Sequence, residues 1–394
     1  MNEGHSSLLI LELLNEIMLQ QKADKVTPEH IETVRRLCIF TTHTPVAAGH
    51  DRFPISLANR VLQKYNSFSK CSEIVCYKGE LNLTYLALAS SYYINGVAKR
   101  HLETSRKMFE GYLIDSITNG VHAYTWASND IRALFDKIIP DWRRDNSSLR
   151  YAIKLNKDDI WQAHQKSKRR LLEYVNKVCN TAMNQNFLTL GFARRATPYK
   201  RTTLIFNDPD RLKNITNHCG PLQIIFGGKA HPKDVQGKEM IREIFRLKDI
   251  LKNDIQIAYL PDYDMDIGRL MTSGVDLWLN TPLPPMEASG TSGMKAAING
   301  VPSLSVLDGW WIEGCIEGIT GWAIDNSEHE IGVSVDAPQE AEILYSKLEN
   351  IIVPMYYHDR DSYIQIMRNV ISINGSFFNT ERMVSQYVSK AYFR

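Results

Sequence analysis

LQIIFGGKAHPKDVQGKEMIREIFRLKDILKNDIQIAYL, residues 222–260, decides the fold. Its first seven residues (222–228) are apolar or glycine at nearly every position, so the strand they form is buried on both faces. Across a short polar connection, DVQGKEMIREIFRLKDIL (234–251) places Met, Ile, Phe and Leu at helical spacing. IQIAYL (255–260) then repeats the strand signal. Strand, helix and second buried strand in one stretch predict a βαβ unit with parallel strands. The same pattern continues outward, through FLTLGFA (187–193) on one side and VDLWLNT (275–281) and PSLSVLD (302–308) on the other. From about residue 186 the chain is therefore expected to form a doubly wound α/β domain. Such sheets bind ligands at the C-terminal ends of their strands.

Residues 1–120 read differently. LCIFTTHTP (37–45) resembles one short buried strand leading into a loop. ISLANRVLQKYN (55–66) and LNLTYLALASSYYINGVAKRHLETSRK (81–107) carry apolar residues at helical spacing, so this part reads as mostly helical, without a sheet of its own. Asn119-Gly120, a turn dipeptide inside TNGVHAYTW (118–126), marks the boundary between the two patterns. MNEGHSSLLILELLNEIM (1–18) has acidic residues where an export signal carries basic ones. Leu8, Leu9, Leu11, Leu13 and Leu14 read as one face of an amphipathic helix, so the chain is expected to begin inside a folded element.

With 394 residues there is room for two or three domains. Lys+Arg 46 against Asp+Glu 44 leaves +2, a balance that points to neither nucleic acid nor an anionic membrane as a bulk partner. A hydrophobic fraction of 44% with 10% aromatics excludes disordered, collagen-like and coiled-coil classes. Six scattered cysteines without a CxxC pair read as reduced thiols in a cytoplasmic compartment, Cys71 and Cys76 among them as inert. No apolar run approaches the ~20 residues of a membrane span. His43, His50, His101, His122 and His231 share no ligand spacing, so no metal is expected.

Two strand ends carry chemistry. FLTLGFA runs into Arg194, Arg195, Tyr199, Lys200 and Arg201, four cations within eight residues at the carboxyl end of a buried strand. Arg offers a planar fork and Lys a point charge, and both suit a phosphate dianion. A solvated basic loop is the plainer reading of a charge run; the strand end argues for a site. The second is EASGTSGMKAAING (287–300), which follows VDLWLNTPLPP. Small residues ahead of a helix let backbone N–H groups approach an anion. Lys295 within such a helix is a phosphate ligand, a covalent nucleophile, or a solvent-facing side chain. Trp310-Trp311 reads as packing rather than sugar stacking.

Together these residues resemble the α-glucan phosphorylases, the pyridoxal-phosphate-dependent family of glycogen, starch and maltodextrin phosphorylases. EASGTSGMKAAING matches that family's cofactor-lysine signature, E-A-S-G-x-x-x-M-K-x-x-x-N, at every fixed position. The resemblance also covers FTTHTPVAAGHDRFP (40–54), INGVAKRH (94–101), TNGVHAYTWAS (118–128) and GFARRATPYKR (191–201). It continues through FGGKAHPKD (226–234), YLPDYDMDIGRLMTSGVDLWLNTP (259–282) and LDGWWIEG (307–314), and is closest to the short bacterial and archaeal branch.

The resemblance implies a GT-B-type glycosyltransferase architecture in two parts. Residues 120–394 are the complete C-terminal Rossmann-like domain, with its last helix (within 374–393) crossing back. Residues 1–119 are a partial, mostly helical remnant of the N-terminal domain, whose glycine-rich loop is absent from this sequence. It implies pyridoxal 5′-phosphate held by Lys295 as a Schiff base, with Arg194, Thr291 and Ser292 on its 5′-phosphate and Tyr263 lining the cofactor. It implies Arg195 and Lys200 on the substrate phosphate. Glu287, Ser289 and Gly290 would contact the glucosyl unit, Asn119 and Tyr199 its hydroxyls, and the His43 main-chain carbonyl the same sugar. The implied reaction is reversible phosphorolysis of an α-1,4-glucan or maltodextrin by inorganic phosphate, giving glucose 1-phosphate with retention. The cofactor's phosphate would relay the proton. A homodimer or a complementing N-terminal half are the implied protein partners. An inactive fragment with residual cofactor or glucan binding, and a nucleotide-sugar glucosyltransferase of the same architecture, stand as alternatives. Two local departures accompany the match. Pro198 is expected to bias Thr197 away from helical geometry, and Pro282-Leu283-Pro284-Pro285 stands where relatives place arginines.

Overall fold

The computed structural model describes residues 1–46, 49–62, 76–77, 79–325 and 336–393. Cys71 and residues 63–66 of the expected helix 55–66 lie outside them. The chain divides into two compact units. Unit 1 comprises Met1–Thr118, Pro285–Ser289 and Gln386–Arg394; unit 2 comprises Asn119–Pro284 and Gly290–Ser385.

Unit 1 has more strand than its sequence suggested. β1 (Ile39–Thr41), β2 (Arg52–Pro54), β3 (Cys76–Tyr77), β4 (Glu80–Asn82), β5 (Tyr93–Gly96) and β6 (Asp115–Ser116) build two three-stranded sheets, ordered β1-β5-β6 and β2-β4-β3. The first sheet is parallel, with Phe40 beside Ile94 and Asn95 beside Asp115. The expectation of a sheetless, helical first part is thereby corrected. Residues 81–107 form helix Leu83–Ala89, then β5, then helix Lys99–Met108. Tyr92, Tyr93 and Ile94 form a short apolar run whose spacing suits either structure; the pairing with β1 selects the strand. The N-terminal helix Leu8–Gln21 exists, but it buries Ile10, Leu11, Leu14 and Met18, whereas Leu8 and Leu9 are exposed. Contiguous leucines cannot all share one helical face.

Residues 386–393 complete unit 1 at the C-terminal ends of its parallel strands. Tyr387 OH stands 3.1 Å from Thr41 Oγ1 and accepts from Asn95 Nδ2 at 3.0 Å. Lys390 Nζ donates to the Asp115 carboxylate at 3.2 Å, and Tyr92 OH donates to the Ala391 carbonyl.

Unit 2 is built on β7 (Leu188–Ala193), β8 (Leu222–Gly227), β9 (Gln256–Leu260), β10 (Leu277–Asn280), β11 (Ser303–Val306) and β12 (Gly321–Ile324). All pairs are parallel and the order is β12-β11-β10-β7-β8-β9. The chain winds outward from β7 to β9, returns to lay β10 against β7, and winds outward again. That is the Rossmann order, with its switch point between β7 and β10. Both faces are covered, as the continuous apolar runs require. Leu190, Phe192, Ile224, Phe226 and Leu279 enter one core, while Ile225, Ala258 and Trp278 enter the other with Leu171 and Met271. The helix between β8 and β9 spans Val235–Leu251, N-capped by Asp234, whose carboxylate accepts from the Gly237 N–H at 2.8 Å. β12 was not anticipated from sequence.

A buried ionic cluster ties the N-terminal ends of β7 and β10. The Asp276 carboxylate accepts from the Thr189 N–H (2.8 Å) and from Lys168 Nζ, with His164 Nε2 at 2.8 Å on its other oxygen. Burial pushes the Asp276 carboxyl up, but Lys168 and His164 outweigh it and hold it below its ordinary value. Trp310 and Trp311 are both buried in the core.

Candidate active site

Arg194 is the first residue beyond β7. The β7 and β8 ends stay zipped past the sheet, through Arg194 N–H to Gly227 O (3.0 Å) and Ala196 N–H to Lys229 O (3.1 Å). This approach needs glycine at 228, where φ is +144° and a Cβ would stand 1.8 Å from the Arg194 carbonyl oxygen. Beyond it Arg195 is exposed, and Thr197 is extended (φ −135°, ψ 146°), as its position before Pro198 predicts. Pro198–Lys200 make a single helical turn that buries Lys200, whose Nζ lies 4.6 Å above the Tyr199 ring. The Pro282–Pro284 stretch docks on this turn, since Leu283 N–H donates to the Tyr199 carbonyl at 2.7 Å.

The fourth cation of the loop has a different use. Arg201, in left-handed backbone (φ 45°), donates to the carbonyls of Thr281 (3.0 Å) and Pro282 (2.7 Å). It also pairs with the buried Glu340 carboxylate. It is an internal strut that fixes the end of β10, so the dianion-binding reading retains Arg194, Arg195 and Lys200.

Across the switch point, Gly290 takes the left-handed conformation (φ 84°) and opens the helix Thr291–Ile298. Ser292 Oγ, in its first turn, is buried with no hydrogen-bond partner. Lys295 is half-buried on the same helix, and its Nζ stands 3.7 Å from the centre of the Trp126 ring. Burial, and secondarily the Arg194 charge, hold its amine below the usual lysine value. Tyr263 follows β9, and two glycines leave room for its ring. A Cβ at Gly227 would meet Tyr263 Cδ2 at 2.9 Å, and one at Gly268 would meet its OH at 3.0 Å. Burial raises the Tyr263 phenol, against an opposing pull from Arg194.

Arg194, Tyr263, Lys295 and the opening of helix Thr291–Ile298 thus converge at the strand ends of unit 2. In unit 2 the Asn119 carbonyl accepts from Arg382 Nη2 at 2.9 Å. His43, Glu287 and Ser289 belong to unit 1. There the His43 N–H donates to the Glu3 carboxylate, burial lowers the His43 imidazole, and Ser289 Oγ is buried without a partner. Two residues given no role in the sequence reading shape the lysine's surroundings: Trp126, and Asn299 at the end of the Lys295 helix. Both lie in the motif segments, but only the folded chain shows what they touch.

A pyridoxal phosphate group fits this arrangement. It needs an amine that is neutral in part, a planar wall, and donors for a phosphate. Lys295, the Tyr263 ring, and the unpartnered Ser292 hydroxyl beside a helix start and Arg194 supply them. Among the described residues no group of three or more His, Cys, Asp or Glu side chains could hold a metal ion, and no helix is long and apolar enough to cross a membrane.

Comparison with known proteins places this geometry in a family. The carbohydrate phosphorylase model matches residues 64–321. The maltodextrin phosphorylase of Thermococcus litoralis is 39% identical over 393 residues, covering 92% of this chain and 47% of that protein. The glycogen phosphorylase of Aquifex aeolicus is 37% identical, covering 99% of this chain and 62% of its own length. For the glycogen phosphorylase of Mycobacterium tuberculosis the figures are 34%, 100% and 50%. The chain therefore spans about half the length of these relatives. With Lys295, Arg194 and Tyr263 gathered where a Rossmann-type sheet binds ligands, and with this match along most of its length, the chain belongs to the carbohydrate phosphorylase family.

Proposed function

We propose that this chain supplies the cofactor- and phosphate-binding part of an α-1,4-glucan phosphorylase of GT-B type. Unit 2 is the C-terminal domain of that architecture and unit 1 the closing portion of the N-terminal one. The observation that carries the reading is the convergence of Lys295, Arg194, Tyr263 and the orphaned Ser292 hydroxyl at the β7–β10 switch point.

Lys295 Nζ would hold pyridoxal 5′-phosphate covalently, its amine held below the usual lysine value by burial and by Arg194. Arg194, Thr291 and Ser292 bind the 5′-phosphate, and Tyr263 walls the ring. When bound, the cofactor supplies a phosphate that carries a proton to and from the substrate phosphate. Arg195 and Lys200 hold that substrate phosphate beside it. Two phosphates in contact repel strongly, so fixed cations and a helix start must offset their charge. Such repulsion would raise the pKa of either phosphate and so favour a proton shared between the two. Glu287, Ser289 and Gly290, with Asn119, Tyr199 and the His43 carbonyl, orient the glucosyl unit. Phosphate then attacks from the face the glucan leaves, and the α configuration is retained. The substrates are an α-1,4-glucan or maltodextrin and inorganic phosphate, in the cytoplasm. A second copy or a complementing N-terminal half is the protein partner.

The test is borohydride trapping of a pyridoxyl group at Lys295, absent in Lys295→Ala, together with release of glucose 1-phosphate from maltodextrin. Release is measured for the chain alone and with the N-terminal half of a relative supplied. A chain that takes up no pyridoxal phosphate sinks the reading. So does phosphate dependence left unchanged by Arg195→Ala or Lys200→Ala in the active preparation.

A further inference from the structure

Asn299 ends the Lys295 helix and is wholly buried. Its side chain makes three hydrogen bonds that serve two separate chain segments. Nδ2 donates to the Trp126 carbonyl at 2.8 Å and to the Lys295 carbonyl at 2.9 Å, while Oδ1 accepts from the Ser128 N–H at 2.8 Å. An amide is the smallest side chain that can donate to two carbonyls and accept from an N–H at once. The segment it grips is irregular: residues Ala123–Trp126 form a single helical turn, and Ala127 leaves it in extended backbone. Ser128 in turn caps the helix Asn129–Ile138, its Oγ accepting from the Ile131 N–H at 3.3 Å. Asn299 thus ties the carbonyl of Trp126 and the carbonyl of Lys295 to one amide, while their side chains meet ring to ammonium.

We propose that Asn299 is a positioning residue for cofactor capture, holding the Trp126 indole against Lys295 so that Nζ is presented in one direction to an incoming carbonyl. It touches neither substrate nor the reacting nitrogen and acts through Trp126. The inference rests on the reading of Lys295 as the cofactor lysine. Supporting partners of this kind commonly carry tenfold to hundredfold effects, because a misdirected reacting group reacts slowly even when present.

The experiment uses the whole chain with pyridoxal 5′-phosphate as probe, and follows the rate of borohydride-trapped adduct at Lys295 by peptide mass spectrometry. Asn299→Ala and Asn299→Asp, the latter keeping an acceptor for the Ser128 N–H, are each expected to slow capture by about tenfold to a hundredfold while far-UV circular dichroism is unchanged. In a Trp126→Ala background, Asn299→Ala is expected to add no further slowing. A parallel measurement without cofactor, competitive acetylation of Lys295 against surface lysines, is expected to rise in Asn299→Ala because the indole no longer covers Nζ. Folded variants that capture at the wild-type rate overturn the inference, as do effects of the two substitutions that simply multiply. Failure of every Asn299 variant to fold also overturns it, since the residue is then structural. A wild-type chain that captures no pyridoxal phosphate, yet shows the acetylation change, refutes the cofactor reading and leaves the Asn299–Trp126 coupling standing.

Discussion

At the scale of single residues, the Lys295 amine is the most consequential group. It reacts only when neutral, and its folded value lies below that of free lysine because of burial first and Arg194 second. Its reaction with an aldehyde should therefore climb with pH and level off below the value for free lysine. Removing the Arg194 charge leaves burial in place, so the midpoint in Arg194→Met should move up but remain below that of a solvent-exposed lysine. Pyridoxal lacking its phosphate is the right probe, since Arg194 is also read as a phosphate ligand. Trapped adduct measured across pH 6 to 11 (roughly the range over which lysine amines titrate) checks this; an unmoved midpoint contradicts it. Sequence disclosed Lys295 because a long motif surrounds it, and disclosed Arg194 because it follows a strand. It could not disclose Trp126 over Nζ or Asn299 between them, since those contacts join positions about 170 residues apart in sequence.

At the scale of elements, the loop after β7 shows how a count of charges misleads. Arg201 looks like its neighbours in sequence, yet its guanidinium is committed to two carbonyls at the end of β10 and to Glu340. Arg201→Ala removes one side of this buried ion pair, together with the bonds to both carbonyls, and is expected to cost about 3–5 kcal/mol. In Arg201→Ala/Glu340→Gln the loss should be partly recovered, because the buried charge that Arg201 faced is gone. Urea unfolding of the single and double variants measures both; equal losses refute the strut. Most strands of unit 2 were legible because a strand buried on both faces is written as an unbroken apolar run. β12 was not, since it is four residues long, begins at a glycine and borders the Trp-rich segment. β5 was misread because helix and strand share its apolar spacing, and what separates them is pairing with β1, a partner more than fifty residues upstream.

At the scale of the whole molecule, unit 2 begins at Asn119, the first residue of the turn dipeptide, but the membership of Pro285–Ser289 and Gln386–Arg394 in unit 1 has no local signal. For Gln386–Arg394 it arises from contacts such as Tyr387 with Asn95 and Lys390 with Asp115. Asn95 is fully buried, so loss of its phenol partner leaves an amide donor in a dry setting, a cost of about 1–3 kcal/mol. A chain ending at Ser385 should lose hydrogen-exchange protection at Phe40 and Ile94 while amides of β7 and β8 keep theirs. Protection lost equally in both units, or in neither, refutes that dependence.

That arrangement also sets a schedule on the ribosome. β1, β5 and β6 are translated before the tyrosine and lysine that quench their polar ends, which lie 275 to 346 residues further along the chain than the groups they bond. Over that interval the nascent chain carries an unfinished parallel sheet with exposed polar and apolar edges, the kind of surface that chaperones bind. A sheet whose polar ends are quenched only from residues 386–393 stays incomplete until that segment has left the ribosome, so its closure reports that translation has passed that point.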